Sequence, residues 1–126
     1  MNRLTIYPQL RVRLAGGDES LEQLVRLLEQ VEACGTLQGA SRVLGLSYRN
    51  AWGQLKQAEQ SLGAPLLETT RGRGAVLTES SRRLILGEKR LLARLGPLLV
   101  TMASELQQEL DEAAADPTPQ LRWFAS

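Results

Sequence analysis

With 126 residues, 43% of them hydrophobic, the chain suffices for one compact domain and an extra helix but not for two ordinary domains. No histidine and a single cysteine, Cys34, remove the usual zinc ligands, the commonest general base and any disulfide within one chain; without a phosphate loop or nucleophile elbow, a non-enzyme with no cofactor is expected. Net charge is +1, no apolar run approaches the roughly 20 residues of a membrane span, and Met1-Asn2-Arg3-Leu4 does not open a signal peptide, so a cytoplasmic protein with no membrane partner is expected.

Leu10, Val12 and Leu14 alternate with Arg11 and Arg13, which predicts one short strand with a buried face, broken by Gly16 and Gly17. Ser20 followed by Gln23 fits a capping box, and Leu21, Leu24, Leu27, Leu28 and Val31 recur at helical spacing until Gly35. Cys34, near the end of this first helix among apolar neighbours, reads as a buried, inert thiol. Thr36 can cap a short second helix with Ala40, Val43 and Leu44 on its buried side, and Gly45 is placed to end it in the left-handed conformation. One residue further, the Ser47 hydroxyl can accept from the backbone N–H of Arg49 or Asn50 and so start a third helix running to about Leu62. Two helices joined by so tight a glycine turn form a helix-turn-helix.

Gly63 ends the third helix. Pro65, Leu66 and Leu67, then a Gly/Arg-rich stretch from Thr69 to Gly74, then Ala75, Val76 and Leu77, read as a β-hairpin, or wing. Thr78 can cap a long helical region containing Leu84, Leu91, Leu95, Leu98, Met102, Leu106 and Leu110, which Pro97 should kink or break. The leucine spacing departs from a strict heptad, so a core or dimer seam of antiparallel or kinked helices is expected, with Leu91, Leu95, Leu98, Met102 and Leu106 at the dimer interface. From Asp116 onward Pro117 and Pro119 prevent further helix and leave a loose tail. The predicted fold is mainly α: a winged helix-turn-helix with a short N-terminal strand and a hairpin wing over 1–78, a helical dimerisation region over 79–115, and a tail over 116–126.

Between Arg42 and Arg90 there are nine basic residues against four acidic ones, a local charge of +5, while the rest of the chain carries −4. That asymmetry suits one face meeting a polyanion, although basic helices also serve as solvated surface. Placed at about 100° per residue, the third helix has Ala51, Leu55, Ala58 and Leu62 on a core face, flanked by Tyr48, Trp52 and Glu59. Trp52 reads as a packing residue. Arg49, Asn50, Gly53 and Gln57 point outward, with Gln54 and Lys56 at the edges. Arg can bond a guanine edge in two places and Asn or Gln an adenine edge; the same side chains also solvate exposed helices. Arg71 and Arg73, between glycines at the wing tip, suit phosphate or a narrow minor groove, or a plain solvated loop. The DNA-binding set is completed by Thr36, Ser47 and Tyr48 at the helix heads, beside Arg49, Asn50, Gln54 and Lys56.

The stretches Ala40 to Leu46, Ser47-Tyr48-Arg49-Asn50-Ala51-Trp52, Leu62 to Leu66 and Gly74 to Thr78 resemble the amino-terminal DNA-binding domain of ModE-type, molybdate-responsive regulators. They are similar, more distantly, to the LysR-type winged helix. The likeness covers roughly Leu10 to Leu95, and the Ser-Tyr-Arg/Lys-x-Ala-Trp element is its most specific part. The resemblance implies a homodimer, held through helices outside the helix-turn-helix, that binds operator DNA, with molybdate bound by a separate carboxy-terminal region that this chain lacks. The segment Thr118 to Ser126 looks like the junction into that region; matched through Trp123 and Phe124, Thr118 and Gln120 stand where a serine and an arginine help hold the oxyanion. Molybdate is therefore not expected as a ligand of this chain alone. The expectation is a homodimeric, sequence-specific transcriptional regulator whose partner is double-stranded DNA. A winged-helix protein-interaction module and the DNA-binding half of a two-chain molybdate sensor are the alternatives.

Overall fold

The computed structural model describes all residues except 1–2, 15–16, 71, 73 and 116–126. The expected tail, Gly16 and the wing-tip arginines Arg71 and Arg73 thus lie outside the described residues. In chain order the elements are β1 (Arg11–Leu14), β2 (Gly17–Ser20), α1 (Leu21–Cys34), α2 (Leu37–Val43), α3 (Tyr48–Leu62), β3 (Leu67–Thr70), β4 (Gly74–Leu77) and α4 (Glu79–Ala115). They divide into two compact units, Gln9–Leu91 and the pair Met1–Pro8 with Leu92–Ser126.

In the larger unit each helix starts on a hydroxyl that answers a backbone donor the helix itself leaves free. Ser20 Oγ accepts from Gln23 N at 3.4 Å, Thr36 Oγ1 from Gly39 N at 3.0 Å and Ser47 Oγ from Asn50 N at 3.1 Å. The apolar stripes so aligned meet in one core: Leu24, Leu27, Leu28 and Val31 of α1, Leu37 and Ala40 of α2, Ala51, Leu55 and Ala58 of α3, with Leu66 and Leu77 at the base of the wing. Each fully buried leucine there contributes about 1.5–3 kcal/mol of transfer free energy.

The wing is antiparallel, with Leu67 opposite Leu77 and Thr70 opposite Gly74. Its base is closed by a knot of hydrogen bonds. Thr78 N donates to Leu66 O at 3.1 Å, Thr78 Oγ1 donates to Pro65 O at 2.7 Å, and the buried Ser81 hydroxyl donates to Leu66 O. Ser81 belongs to the first turn of α4, and Leu84 and Ile85 of the next turn pack against the core.

Several expectations need correction. Gly17 does not merely end a strand: it opens β2, which pairs with β1 from Arg11 opposite Ser20 to Leu14 opposite Gly17, secured by an Arg11–Asp18 ion pair at 3.2 Å. The polar sequence Gly-Asp-Glu-Ser has no apolar alternation, so only its partner reveals it. Val43 is 61% exposed rather than buried. The inward stripe of α2 is Leu37, Ala40 and Ser41, and Ser41 can be buried because its hydroxyl donates to Gln38 O at 2.7 Å. Cys34 is exposed, because Val31 is the last buried residue of α1 and the helix has run past the core.

In the smaller unit, Pro97 does not break α4. Gly96 before it offers no Cβ to clash with the proline ring, and Thr101 Oγ1 donates to Pro97 O at 3.2 Å. Beside this part of α4 runs an extended segment the sequence did not announce: half-buried Leu4, Ile6 and Pro8 alternate with exposed Thr5 and Tyr7. Leu4 N donates to Gln107 Oε1, and Leu99, Val100 and Ala103 line the groove between segment and helix.

Candidate nucleic-acid interface

The turn between α2 and α3 is built by Gly45, whose φ of 71° is accessible to glycine at little cost. Gly45 N donates to Arg42 O and Leu46 N to Ser41 O, so the last carbonyls of α2 are answered inside the turn. Ser47 follows at once and starts α3.

On α3 the buried residues Ala51, Leu55, Ala58 and Ser61 define the inner face. Arg49, Asn50, Gly53 and Gln57 are exposed opposite it, as the sequence spacing predicts. Gln54 is half-buried, and its Nε2 donates to Asn50 Oδ1 at 2.7 Å, which orients the Asn50 amide. Lys56 is exposed but not idle: its ammonium lies 3.1 Å from Glu59 Oε1 and 5.5 Å from the centroid of the Trp52 ring. Tyr48 and Trp52 are 52% and 48% exposed. Reading Trp52 as a packing residue missed this. The signal for it was Lys56, one turn beyond Trp52, whose ammonium faces the ring rather than a core.

Glu59 joins α3 to the wing. Burial alone would raise its pKa, but Leu66 N donating to Oε2 at 2.7 Å and the ion pair with Lys56 outweigh that and hold the carboxyl below its ordinary value. The far strand is fixed on the opposite side, where Ala75 N donates to Gly35 O at 2.9 Å. A Cβ on Gly74, at φ 78°, would collide with that same carbonyl. Thr36, exposed at the head of α2, therefore lies next to the wing. Between α3 and the wing is a cleft of about 390 Å³ bordered by Thr36, Gln38, Tyr48, Trp52, Thr69 and Ala75.

Of the expected dimer residues, Leu91, Leu98, Met102 and Leu106 are exposed and Leu95 is half-buried. No group of three or more His, Cys, Asp or Glu side chains close enough to hold a metal ion occurs among the described residues. No described helix is long and apolar enough to cross a membrane.

Residues 22–82 match the family of bacterial regulatory helix-turn-helix proteins of the LysR type. The chain is 33% identical over 91 residues to the molybdenum-pterin-binding protein MopA of Rhodobacter capsulatus, an alignment covering 69% of this chain and 34% of MopA. It is 34% identical over 65 residues to the transcriptional regulator ModE of Haemophilus influenzae, covering 48% of this chain and 26% of ModE. The matched part thus spans about a third of the first relative and a quarter of the second. Among solved structures, the crystal structure of a CbnR_DBD–DNA complex aligns with a TM-score of 0.50 over 75% of this chain and 97% of that one. At 23% identity that likeness concerns the fold.

Proposed function

We propose, from the match of residues 22–82 to the bacterial regulatory helix-turn-helix family of the LysR type and the similarity to MopA and ModE, that this protein is a sequence-specific, DNA-binding regulator of transcription that acts as a homodimer. In this reading its 126 residues bind no molybdate: Thr118 and Gln120 stand where an oxyanion site needs other side chains.

The observation that carries the reading is the outer face of α3, where a guanidinium and two amides stand around a glycine directly after the tight turn. In the major groove, Arg pairs with guanine O6 and N7 and Asn with adenine N6 and N7, each contributing about 1–3 kcal/mol of discrimination. Arg49 and Asn50 are the base-reading residues, with Gln54 orienting Asn50 and Tyr48 and Lys56 bordering them. Thr36 and Ser47 at the helix heads, and Arg71 and Arg73 of the wing, contact the backbone or the flanking minor groove.

Residues 1–78 serve as the reading domain and 79–115 as the dimerisation region, with 116–126 as a tail. The exposed Leu91, Leu98, Met102 and Leu106, together with Leu95, support a seam with a second copy. Two copies call for an inverted-repeat operator with half-sites about one helical turn, roughly 10 base pairs, or a multiple apart. The protein acts in the cytoplasm and catalyses no reaction.

The test is selection from random duplex DNA at near-physiological salt, followed by anisotropy titrations with and without molybdate. An enriched inverted repeat, bound in a salt-dependent way and indifferently to molybdate, is the expected result. Absence of enrichment would move the function to a protein-interaction module. Affinity that responds to molybdate would overturn the assignment of these residues to DNA alone.

A further inference from the structure

We propose that Trp52, with Tyr48 one turn before it, selects thymine: the two rings form an apolar shoulder of α3 that receives the C5-methyl group of a thymine in the major groove. This rests on the DNA-binding reading above, and gives a base-selecting role to Trp52, which that reading does not use, and to Tyr48, which it leaves at the border.

The first observation is exposure. The inner face of α3 is already filled by Ala51, Leu55 and Ala58, all nearly inaccessible, while the two largest side chains of the helix stand about half in solvent. Such an apolar pair beside a polar recognition face gains burial only when something covers it.

The second observation is that Trp52 is held in place. The Lys56 ammonium lies 5.5 Å from its ring centroid and is tethered at 3.1 Å to Glu59, whose other oxygen accepts from Leu66 N. The indole is therefore braced on the side of the wing before any ligand arrives, which lowers the ordering cost of using it. Lys56 is thereby a positioning residue, its charge engaged by Glu59 and the ring.

The third observation is placement. At about 100° per residue Trp52 lies only about 60° around the helix from Arg49, so a helix seated with Arg49 against base edges brings the indole to the same groove floor. Gly53 beside it leaves open space for close approach. On that floor the thymine methyl is the apolar group that base edges present. An aromatic shoulder next to a guanidinium thus complements a thymine next to a guanine.

The experiment uses the full chain and the duplex recovered by selection, with each thymine replaced in turn by deoxyuridine, which removes only the methyl group. Wild type should lose about fourfold in affinity per methyl removed at the contacted position. Trp52→Gln should bind thymine and uracil duplexes alike, whereas Trp52→Phe should keep the preference. With Trp123→Phe, Trp52 is the only indole left, and its emission should shift more on the thymine duplex than on the uracil one. If Trp52→Gln does not fold, the Phe variant and the emission comparison decide.

Insensitivity to uracil at every position overturns the proposal, and so does a methyl preference undiminished in folded Trp52→Gln. Equal loss on all duplexes by a folded Trp52 variant also overturns it, because the ring then only props the wing. Wild type that binds no duplex in a salt-dependent way refutes the DNA-binding reading itself. Salt-dependent binding without methyl preference refutes only the role of Trp52.

Discussion

Arg49 makes no ion pair among the described residues, so its removal should leave stability nearly unchanged and act on recognition alone. Arg49→Ala is expected to lose about 1–3 kcal/mol on the selected operator and to relax base preference at one position per half-site. Arg71→Ala and Arg73→Ala should instead weaken all duplexes similarly and reduce the salt slope by about 1 each. Titrations against the operator and a scrambled duplex at several salt concentrations separate the two kinds of contact; equal loss on both by the Arg49 variant would reverse the roles. Two carboxylates behave oppositely with pH. Glu88 is raised, first by burial and then by the neighbouring charges of Glu29 and Glu22, with Lys89 opposing. Its ionised form therefore costs stability above the raised folded pKa, and that cost is relieved as pH falls toward the ordinary value of 4.5. Glu88→Gln should raise the melting temperature at pH 7 and have little effect near pH 4. Glu59 is lowered, so its contribution is full above 4.5 and is lost as pH falls through its folded value.

At the scale of elements, what could be read in advance was what local chemistry dictates. Ser20, Thr36 and Ser47 are helix caps because a hydroxyl there answers a free backbone N–H, and Gly35, Gly45 and Gly63 have left-handed backbones. What could not be read depends on neighbours distant in sequence. β2 exists through β1, Val43 is exposed because Ser41 fills the inner face, and the exposure of Trp52 follows from how α3 meets the wing. For the interface, spacing alone found Arg49, Asn50, Gly53 and Gln57 as the outer residues of α3, but not the pairing of Lys56 with Glu59. Two glycine substitutions distinguish backbone demand from open space. Gly74→Ala meets both a φ of 78° and the Gly35 carbonyl, and should destabilise by about 2 kcal/mol or more. Gly53→Ala, on an exposed helical site with nothing near its Cβ, should stabilise by up to about 1 kcal/mol. Urea denaturation of both variants checks the contrast; a neutral Gly74→Ala would mean that the wing can move off α1.

For the molecule as a whole, the overall charge is nearly neutral while the stretch holding the helix-turn-helix and wing is basic, so in the proposed function attraction to DNA would depend on local placement rather than on a global field. Leu91, Leu98, Met102, Leu106 and Leu110 of α4 are apolar and exposed, the surface that the proposed second copy would cover. Leu98 and Met102 are exposed, belong to the smaller unit and are not among the residues of the helix-turn-helix core. The double variant Leu98→Glu, Met102→Glu should therefore leave the helix-turn-helix folded and yield monomers at micromolar concentration, since each buried residue of this kind contributes about 1.5–3 kcal/mol. Light scattering coupled to size exclusion reads the mass directly. An unchanged dimer would place the seam elsewhere on α4, and a wild-type monomer would remove the homodimer from the proposed function.

The hydrogen bonds at Pro65, Leu66, Thr78 and Ser81 close the base of the wing and tie it to the first turn of α4, and Ala75 N on Gly35 O holds the returning strand at the end of α1, next to the Thr70–Gly74 pair. A hairpin pinned both at its base and along its returning strand has a fixed footing. Because the residues that hold it, Gly35, Leu66, Ala75, Thr78 and Ser81, all lie outside the stretch between Thr70 and Gly74, related chains could vary the sequence of that stretch without having to re-evolve a fold.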